Sequence, residues 1–244
     1  MPLDPATWPP LDLRWALVLL HVGTGAAALA LGPVLFARRK GDRRHRRLGV
    51  GFVGLMLVTC ASGAALLAWR FNPFLAGVTA FSAYNAATAW RAVRWRSAGR
   101  PQPLDAALGY LGLLAGAVLW GVAIALLLGA LPGGPVDLAG RLVFGGVSAA
   151  FGAVVGAMAR ADVRVGLAAE VPPHAWLDRH MSRVVGAYIA LCTAFAVQLA
   201  GLALPPAWQW LAWVAPGVVG GRVLAPPYVR RERARWLGAA AGER

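Results

Sequence analysis

The feature that most constrains this sequence is a series of seven apolar runs, with basic residues concentrated in every second connection between them. Each run has about the 20 residues that an α-helix needs to cross the hydrocarbon core of a bilayer. Helices are required there because backbone polar groups in lipid must find partners within their own segment. The predicted spans are 15–36, 48–69, 72–92, 105–130, 138–159, 182–204 and 208–227.

The composition agrees with this prediction, since 59% of the 244 residues are hydrophobic and only 14% are charged. Cys60 and Cys192 both lie inside apolar runs, which indicates small buried side chains rather than a disulfide or a metal site. We therefore predict an all-α integral membrane protein, a seven-transmembrane-helix bundle covering residues 15–227. A short periplasmic segment, 1–14, precedes the bundle, and a basic cytoplasmic tail, 228–244, follows it.

The distribution of arginine predicts the orientation of the bundle. Of the 24 lysines and arginines, 21 lie on one predicted side of the membrane: 18 in the connections after the first, third and fifth spans and in the tail, and Arg91, Arg183 and Arg222 towards the inner ends of their spans. Basic residues in short connections stay on the cytoplasmic side, so the N-terminus is predicted outside and the C-terminus inside a bacterial inner membrane. We assign the net charge of +14 to contact with anionic lipids of the bilayer, not with nucleic acid.

Several spans contain pairs of glycines four residues apart, a spacing that lets helix backbones approach closely. We interpret these pairs as packing within one bundle in preference to a homo-oligomer face, and a protein partner is left open. The pairs are Gly112/Gly116, Gly152/Gly156 and Gly217/Gly221.

The ten acidic residues all lie outside the interiors of the predicted spans, so we expect no intramembrane carboxylate of the kind that ion-coupled pumps use. The single lysine, Lys40, lies in a connection and cannot hold retinal within the bundle. The sequence also lacks the phosphate-binding loop, zinc-protease and serine-hydrolase motifs. Candidate chemistry therefore rests on the histidines.

Three histidines lie on the predicted cytoplasmic side, and two of them, His45 and His180, directly precede the second and sixth spans. Neutral imidazole is a common ligand of metal ions and of haem iron, and a carboxylate often joins it at a divalent metal. Our hypothesis is a cofactor site for haem or a metal ion formed by His45 and His180, with His174, and with Asp178 as a further metal ligand. The alternatives are that these histidines bond to lipid phosphate, capping carboxylates or loop carbonyls, or that they act in acid–base catalysis.

The remaining histidine, His21, lies in the outer half of the first span, where a polar ring needs a partner. That partner is expected to be a hydroxyl or amide on a neighbouring helix. The other interpretations are ligation of a cofactor and the lining of a polar cavity.

The third span carries polar residues in its inner half, among them Tyr84, Asn85 and Thr88. With Tyr188 of the sixth span, Tyr84 and Asn85 could line a cavity that faces the cytoplasm, but hydrogen bonding between helices is our preferred interpretation. Three functions follow from these observations: a redox or metal-handling protein, a permease for a small solute, and a non-catalytic membrane subunit. Whether the chain is an enzyme is left open.

Three short motifs together resemble those of bacterial multi-pass membrane proteins grouped as domain of unknown function twenty-three-oh-six. They are Leu20-His21-Val22-Gly23-Thr24-Gly25, His45-Arg46-x-x-Gly49 and His180-Met181. The resemblance covers the first, second and sixth spans, and it implies that His21, His45 and His180 form a recurring set without implying an activity. Phe52 stands where that family's pattern has tyrosine, so no tyrosine hydroxyl role is transferred.

Overall fold

The computed structural model describes residues 11–131, 137–168, 170–172, 174–205 and 208–242. Over these ranges the chain is helical and contains no strand, which confirms the all-α prediction. The parts of the predicted outer segment, outer connection and tail at 1–10, 132–136 and 243–244 lie outside the described residues. The helices are α1 Leu11–Ala37, α2 Arg43–Trp69, α3 Pro73–Ala98, α4 Pro103–Leu127, α5 Leu138–Gly166, α6 Ala175–Ala203, α7 Trp210–Val218 and α8 Ala225–Gly242, with a π-helical segment Val219–Leu224 between the last two.

Five of the described helices are long and apolar enough to cross a membrane: Leu13–Ala37, Arg43–Trp69, Pro103–Leu127, Leu138–Gly166 and Ala175–Ala203. Large apolar side chains face outward on these helices, as with Leu19 at 68% and Leu111 at 61% exposure. Polar side chains such as Ser62 and Ser148 are buried instead. This pattern is the reverse of a water-soluble fold, which avoids large exposed apolar patches, and it indicates a membrane-embedded protein.

The third predicted span corresponds to α3, which is long but does not reach the same apolar character. Its polar side chains Ser82, Asn85 and Thr88 are buried within the protein. A helix whose polar residues are covered by other protein groups needs less apolar surface than a helix that faces lipid on most sides. The composition of α3 therefore reflects protein neighbours.

The seventh predicted span covers α7, the π-helical segment and the start of α8. Pro226 and Pro227 have no N–H, so the α-helical bonds to the carbonyls of Arg222 and Val223 are not made. The N–H of Ala225 bonds instead to the carbonyl of Gly220, five residues back, which is the wider π-helical pattern. Beyond the prolines the helix continues, so the predicted tail is α-helical as far as Gly242.

Several helices extend past the predicted spans at their arginine-rich ends. The span predictions end close to the arginine-rich connections, because the hydrocarbon core excludes charge, but helical hydrogen bonding continues beyond the core. Thus α2 begins at Arg43, α5 ends at Gly166 and α6 begins at Ala175. The ammonium of Lys40 donates to the carbonyls of Leu35 and Phe36 at 2.9 and 2.7 Å, so it caps the last turn of α1.

The chain forms two compact units, and the division falls within α3. Unit 1 comprises Met1–Tyr84 and Gln102–Ala168, in which α1 packs on α2 and α4 packs on α5. Unit 2 comprises Asn85–Pro101 and Ala169–Arg244, in which α6 packs on α7 and α8.

The α4–α5 contact in unit 1 depends on glycine. A Cβ atom on Gly116 would lie 3.0 Å from the carbonyl oxygen of Gly152 and 3.1 Å from the backbone nitrogen of Gly156. The backbones therefore touch at this point, as small residues allow. The prediction that the pairs Gly112/Gly116 and Gly152/Gly156 serve packing within one chain is confirmed.

Candidate functional site

His180 lies in the second turn of α6. The predicted sixth span began at residue 182 and therefore left His180 just before the helix. Its Nδ1 atom is 3.0 Å from the carbonyl oxygen of Ala89 on α3, within unit 2. Because a carbonyl oxygen can only accept, Nδ1 carries the hydrogen, and Nε2 keeps its lone pair. Histidines that bind metals are commonly held in this way, with one ring nitrogen bonded to a carbonyl and the other directed at the metal.

Asp178, one of the predicted metal ligands, lies in the first turn of α6. Its Oδ1 atom is 3.4 Å from Nε of Arg233 on α8, and its Oδ2 atom is 4.0 Å from Nε2 of His174. The carboxylate therefore has a cationic partner, Arg233, that the sequence did not identify. His174 and Asp178 thus lie near each other, and their joint role as metal ligands stays a prediction.

His45 lies in the first turn of α2, in unit 1, whereas His174, Asp178 and His180 belong to unit 2. Its backbone N–H donates to the carboxylate of Asp42, the residue that caps α2. This hydrogen bond lowers the pKa of the Asp42 carboxyl below its ordinary value. In the described parts of the chain, no group of three or more His, Cys, Asp or Glu side chains is arranged to hold a metal ion.

His21 has the partner on a neighbouring helix that its position in the membrane requires. Its Nδ1 atom is 2.9 Å from the carbonyl oxygen of Thr59 and 3.3 Å from Oγ of Ser62, both on α2. Thr59 in turn donates its hydroxyl hydrogen to Oγ1 of Thr24 at 2.8 Å. The expected hydroxyl partner is confirmed, and cofactor ligation by His21 stays a prediction.

The residues predicted to line a cavity have different surroundings. The hydroxyl of Tyr84 donates to the carboxylate of Asp162 on α5, within unit 1. Asn85 and Tyr188 belong to unit 2, where Asn85 is fully buried and Tyr188 is partly buried. Hydrogen bonding between helices, the preferred interpretation of the polar residues in the third span, is thus observed for Tyr84, and the shared cavity stays a prediction.

Asp162 is a candidate residue that sequence reasoning missed. The predicted fifth span ended at 159 and left Asp162 in a connection, but α5 continues to Gly166 and Asp162 is only 1% exposed. Asp162 is therefore a buried carboxylate of α5 beyond the predicted span, and the expectation that no carboxylate lies in the interior of a membrane span stays a prediction. The helical period places Asp162 on the same helix face as Val155 and Ala159. Both of those residues are fully buried, so extending the period past 159 would have indicated that Asp162 is buried as well.

Comparisons of the chain with protein-family models, with curated proteins and with solved structures found no match. The resemblance at His21, His45 and His180 stays a prediction that rests on those motifs.

Proposed function

We propose that this protein is a seven-span protein of a bacterial inner membrane, with its N-terminus outside, that binds haem or a divalent metal ion through His180. A role in redox chemistry or metal handling follows from such a cofactor. The observation that supports the proposal is the hydrogen bond from Nδ1 of His180 to the carbonyl of Ala89. It leaves Nε2 as the ligating atom and holds the ring in one orientation.

The ligands available favour haem over a lone metal ion. One or two axial imidazoles are enough to hold haem iron, whereas zinc sites draw on three or four protein ligands. His174, which belongs to the same unit as His180, is the candidate for a second ligand. A bound haem would supply one-electron chemistry, and the chain would supply Nε2 of His180 as a ligand, the orientation of that ring by the Ala89 carbonyl and the exclusion of water by the surrounding helices.

Absorption spectroscopy and elemental analysis of the purified protein test this proposal. We expect a haem Soret band from the wild type, or its appearance on titration with hemin, and its loss in His180→Ala. Ser182→Ala is the matched control, because Ser182 is an exposed residue of the same helix turn, and its spectrum should equal that of the wild type. A wild-type protein that stays colourless with hemin and free of metal would reject the proposal.

A permease is the second candidate function, and the buried contact between Tyr84 and Asp162 favours it. Ionisable side chains buried among membrane helices are often part of proton or ion pathways. Proteoliposomes containing a pH-sensitive dye and subjected to a pH gradient would report proton movement. We expect Tyr84→Phe to slow it and the control Tyr110→Phe, whose side chain is exposed on α4, to leave it unchanged. Equal rates for both variants and the wild type would exclude the pair from a proton pathway.

A further inference from the structure

The helix α8 has two faces of different character, and one of them is docked within unit 2. The ring of Trp236 meets the ring of Trp176 on α6 edge to face, with centroids 5.4 Å apart. The guanidinium of Arg96 on α3 lies 5.5 Å from the Trp176 centroid and 5.9 Å from the Trp236 centroid. Together with the ion pair between Arg233 and Asp178, these contacts fix the rotation of α8 about its own axis.

The opposite face of α8 is exposed and basic. Pro227, Arg230, Arg231 and Ala234 follow one another at helical spacing and are all exposed, and Arg235 lies beside them. Arg235 is paired with Glu232 at 2.8 Å. Arg230 and Arg231 have no ion-pair or hydrogen-bond partner within the described ranges. Two guanidinium groups on a helix of fixed rotation are therefore available to an external anion.

The position of these arginines along the helix suits the surface of a membrane. The helical backbone runs from Trp210 to Gly242, and about 20 residues are needed to cross the hydrocarbon core. A helix that enters the core at Trp210 leaves it near Val229, and the exposed side chain of Arg222 then extends from within the core towards the same headgroups. Arg230 and Arg231 come to the level of the lipid headgroups. This step rests on the proposed seventh span and on its direction.

We propose that Arg230 and Arg231, on the exposed face of α8, bind the phosphate groups of anionic phospholipids in the cytoplasmic leaflet. The planar guanidinium group matches phosphate with two parallel hydrogen bonds. Since the opposite face is held by Trp236 and Arg233, the arginines are oriented before lipid binds, which lowers the cost of ordering them. Each basic residue near an anionic membrane surface strengthens binding by about fivefold.

Electron paramagnetic resonance of the full chain in nanodiscs tests this assignment. A nitroxide on Ala234→Cys, in a Cys60→Ala/Cys192→Ala background, reports the mobility of the exposed face. We expect phosphatidylglycerol to immobilise the label. We expect Arg230→Gln/Arg231→Gln to raise the phosphatidylglycerol needed for half of that effect by about 25-fold. Arg70 is an exposed arginine on the predicted outer side of the membrane. In the control Arg70→Gln, the label should therefore respond to phosphatidylglycerol as it does without an arginine substitution.

Two results would overturn the assignment. One is a label whose mobility is the same with and without phosphatidylglycerol, and the other is an equal response in the double variant. If an acidic protein co-purifies and immobilises the label in the absence of phosphatidylglycerol, the partner of this face is that protein and not lipid. Labelling of the Ala234→Cys variant by an impermeant maleimide from outside the cell would instead contradict the proposed topology, and the haem spectrum is independent of both readouts.

Discussion

The histidines His21 and His180 both direct Nδ1 at a main-chain carbonyl of a neighbouring helix, that of Thr59 in one case and of Ala89 in the other. A helical carbonyl oxygen has a second lone pair beyond the one used by the helix, so it can accept from an imidazole without breaking the helix. In lipid such a bond offsets the cost of a polar ring. The same arrangement therefore serves an anchor at His21 and a ligand candidate at His180.

Gly63 provides the room for the His21 ring. A Cβ atom there would lie 3.1 Å from Cε1 and 3.4 Å from Nδ1 of His21. We expect Gly63→Ala to lower the free energy of unfolding by about 1 kcal/mol, because the ring must move away from the Thr59 carbonyl. Thermal unfolding in detergent measures the change. Gly54→Ala on the same helix is the control, since its Cβ would meet nothing within 4 Å, and equal melting temperatures for the two variants would contradict the prediction.

Asp42 should make the stability of the protein depend on pH. The hydrogen bond from the His45 backbone N–H lowers the pKa of its carboxyl in the folded state. The stabilisation is thus complete above the unfolded-state pKa of about 4, and it is lost as the pH falls through the lower folded-state pKa. We expect Asp42→Ala to melt below the wild type at neutral pH and the difference to shrink in acid. Asp42→Asn keeps an acceptor at every pH, so its melting temperature should depend less on pH than that of the wild type. A difference between wild type and Asp42→Ala that stays constant with pH would refute the assignment.

At the scale of elements, the contact between α4 and α5 is set by backbone and not by flexible side chains. The atoms that a Cβ on Gly116 would meet belong to the main chain of Gly152 and Gly156. Main-chain atoms within two helices cannot move independently, so the helices themselves must separate to accommodate a methyl group. This explains why two glycine pairs recur on facing helices.

Gly116→Ala should therefore destabilise the protein by about 3 kcal/mol, at the upper end of the range for overpacking. Gly121→Ala, on the same helix, should be neutral or slightly stabilising, because its Cβ would have no neighbour within 4 Å. Unfolding of both variants in mixed micelles measures the difference. Equal stabilities would show that the α4–α5 contact does not depend on Gly116.

At the scale of the whole molecule, the arginine distribution makes a prediction about topology. Fusions of green fluorescent protein after Arg100 and after Gly242 should fluoresce in a bacterial host, because basic connections remain in the cytoplasm. A fusion of alkaline phosphatase after Ala130 should be active, since that connection is predicted to lie outside. Fluorescence after Ala130, or an active phosphatase after Arg100, would contradict the proposed orientation.

Hydropathy and charge, read along the sequence, determined the helical class of this protein, its membrane character and the approximate bounds of α1, α2, α4, α5 and α6. These properties are local, since a helix satisfies its own backbone and lipid selects its length. The ends of the helices were predicted less well from the sequence, because the helices continue into charged segments that lie beyond the hydrocarbon core. Asp162 was missed for that reason.

Only the tertiary structure decided which polar groups meet. The partners are far apart in sequence, as are Tyr84 and Asp162, His180 and Ala89, and Asp178 and Arg233. Each pairing depends on how a helix is rotated about its axis and on which neighbour it packs against. Many side-chain contacts acting together determine that rotation and that neighbour. The periodic pattern of one helix does not identify the helix against which it packs.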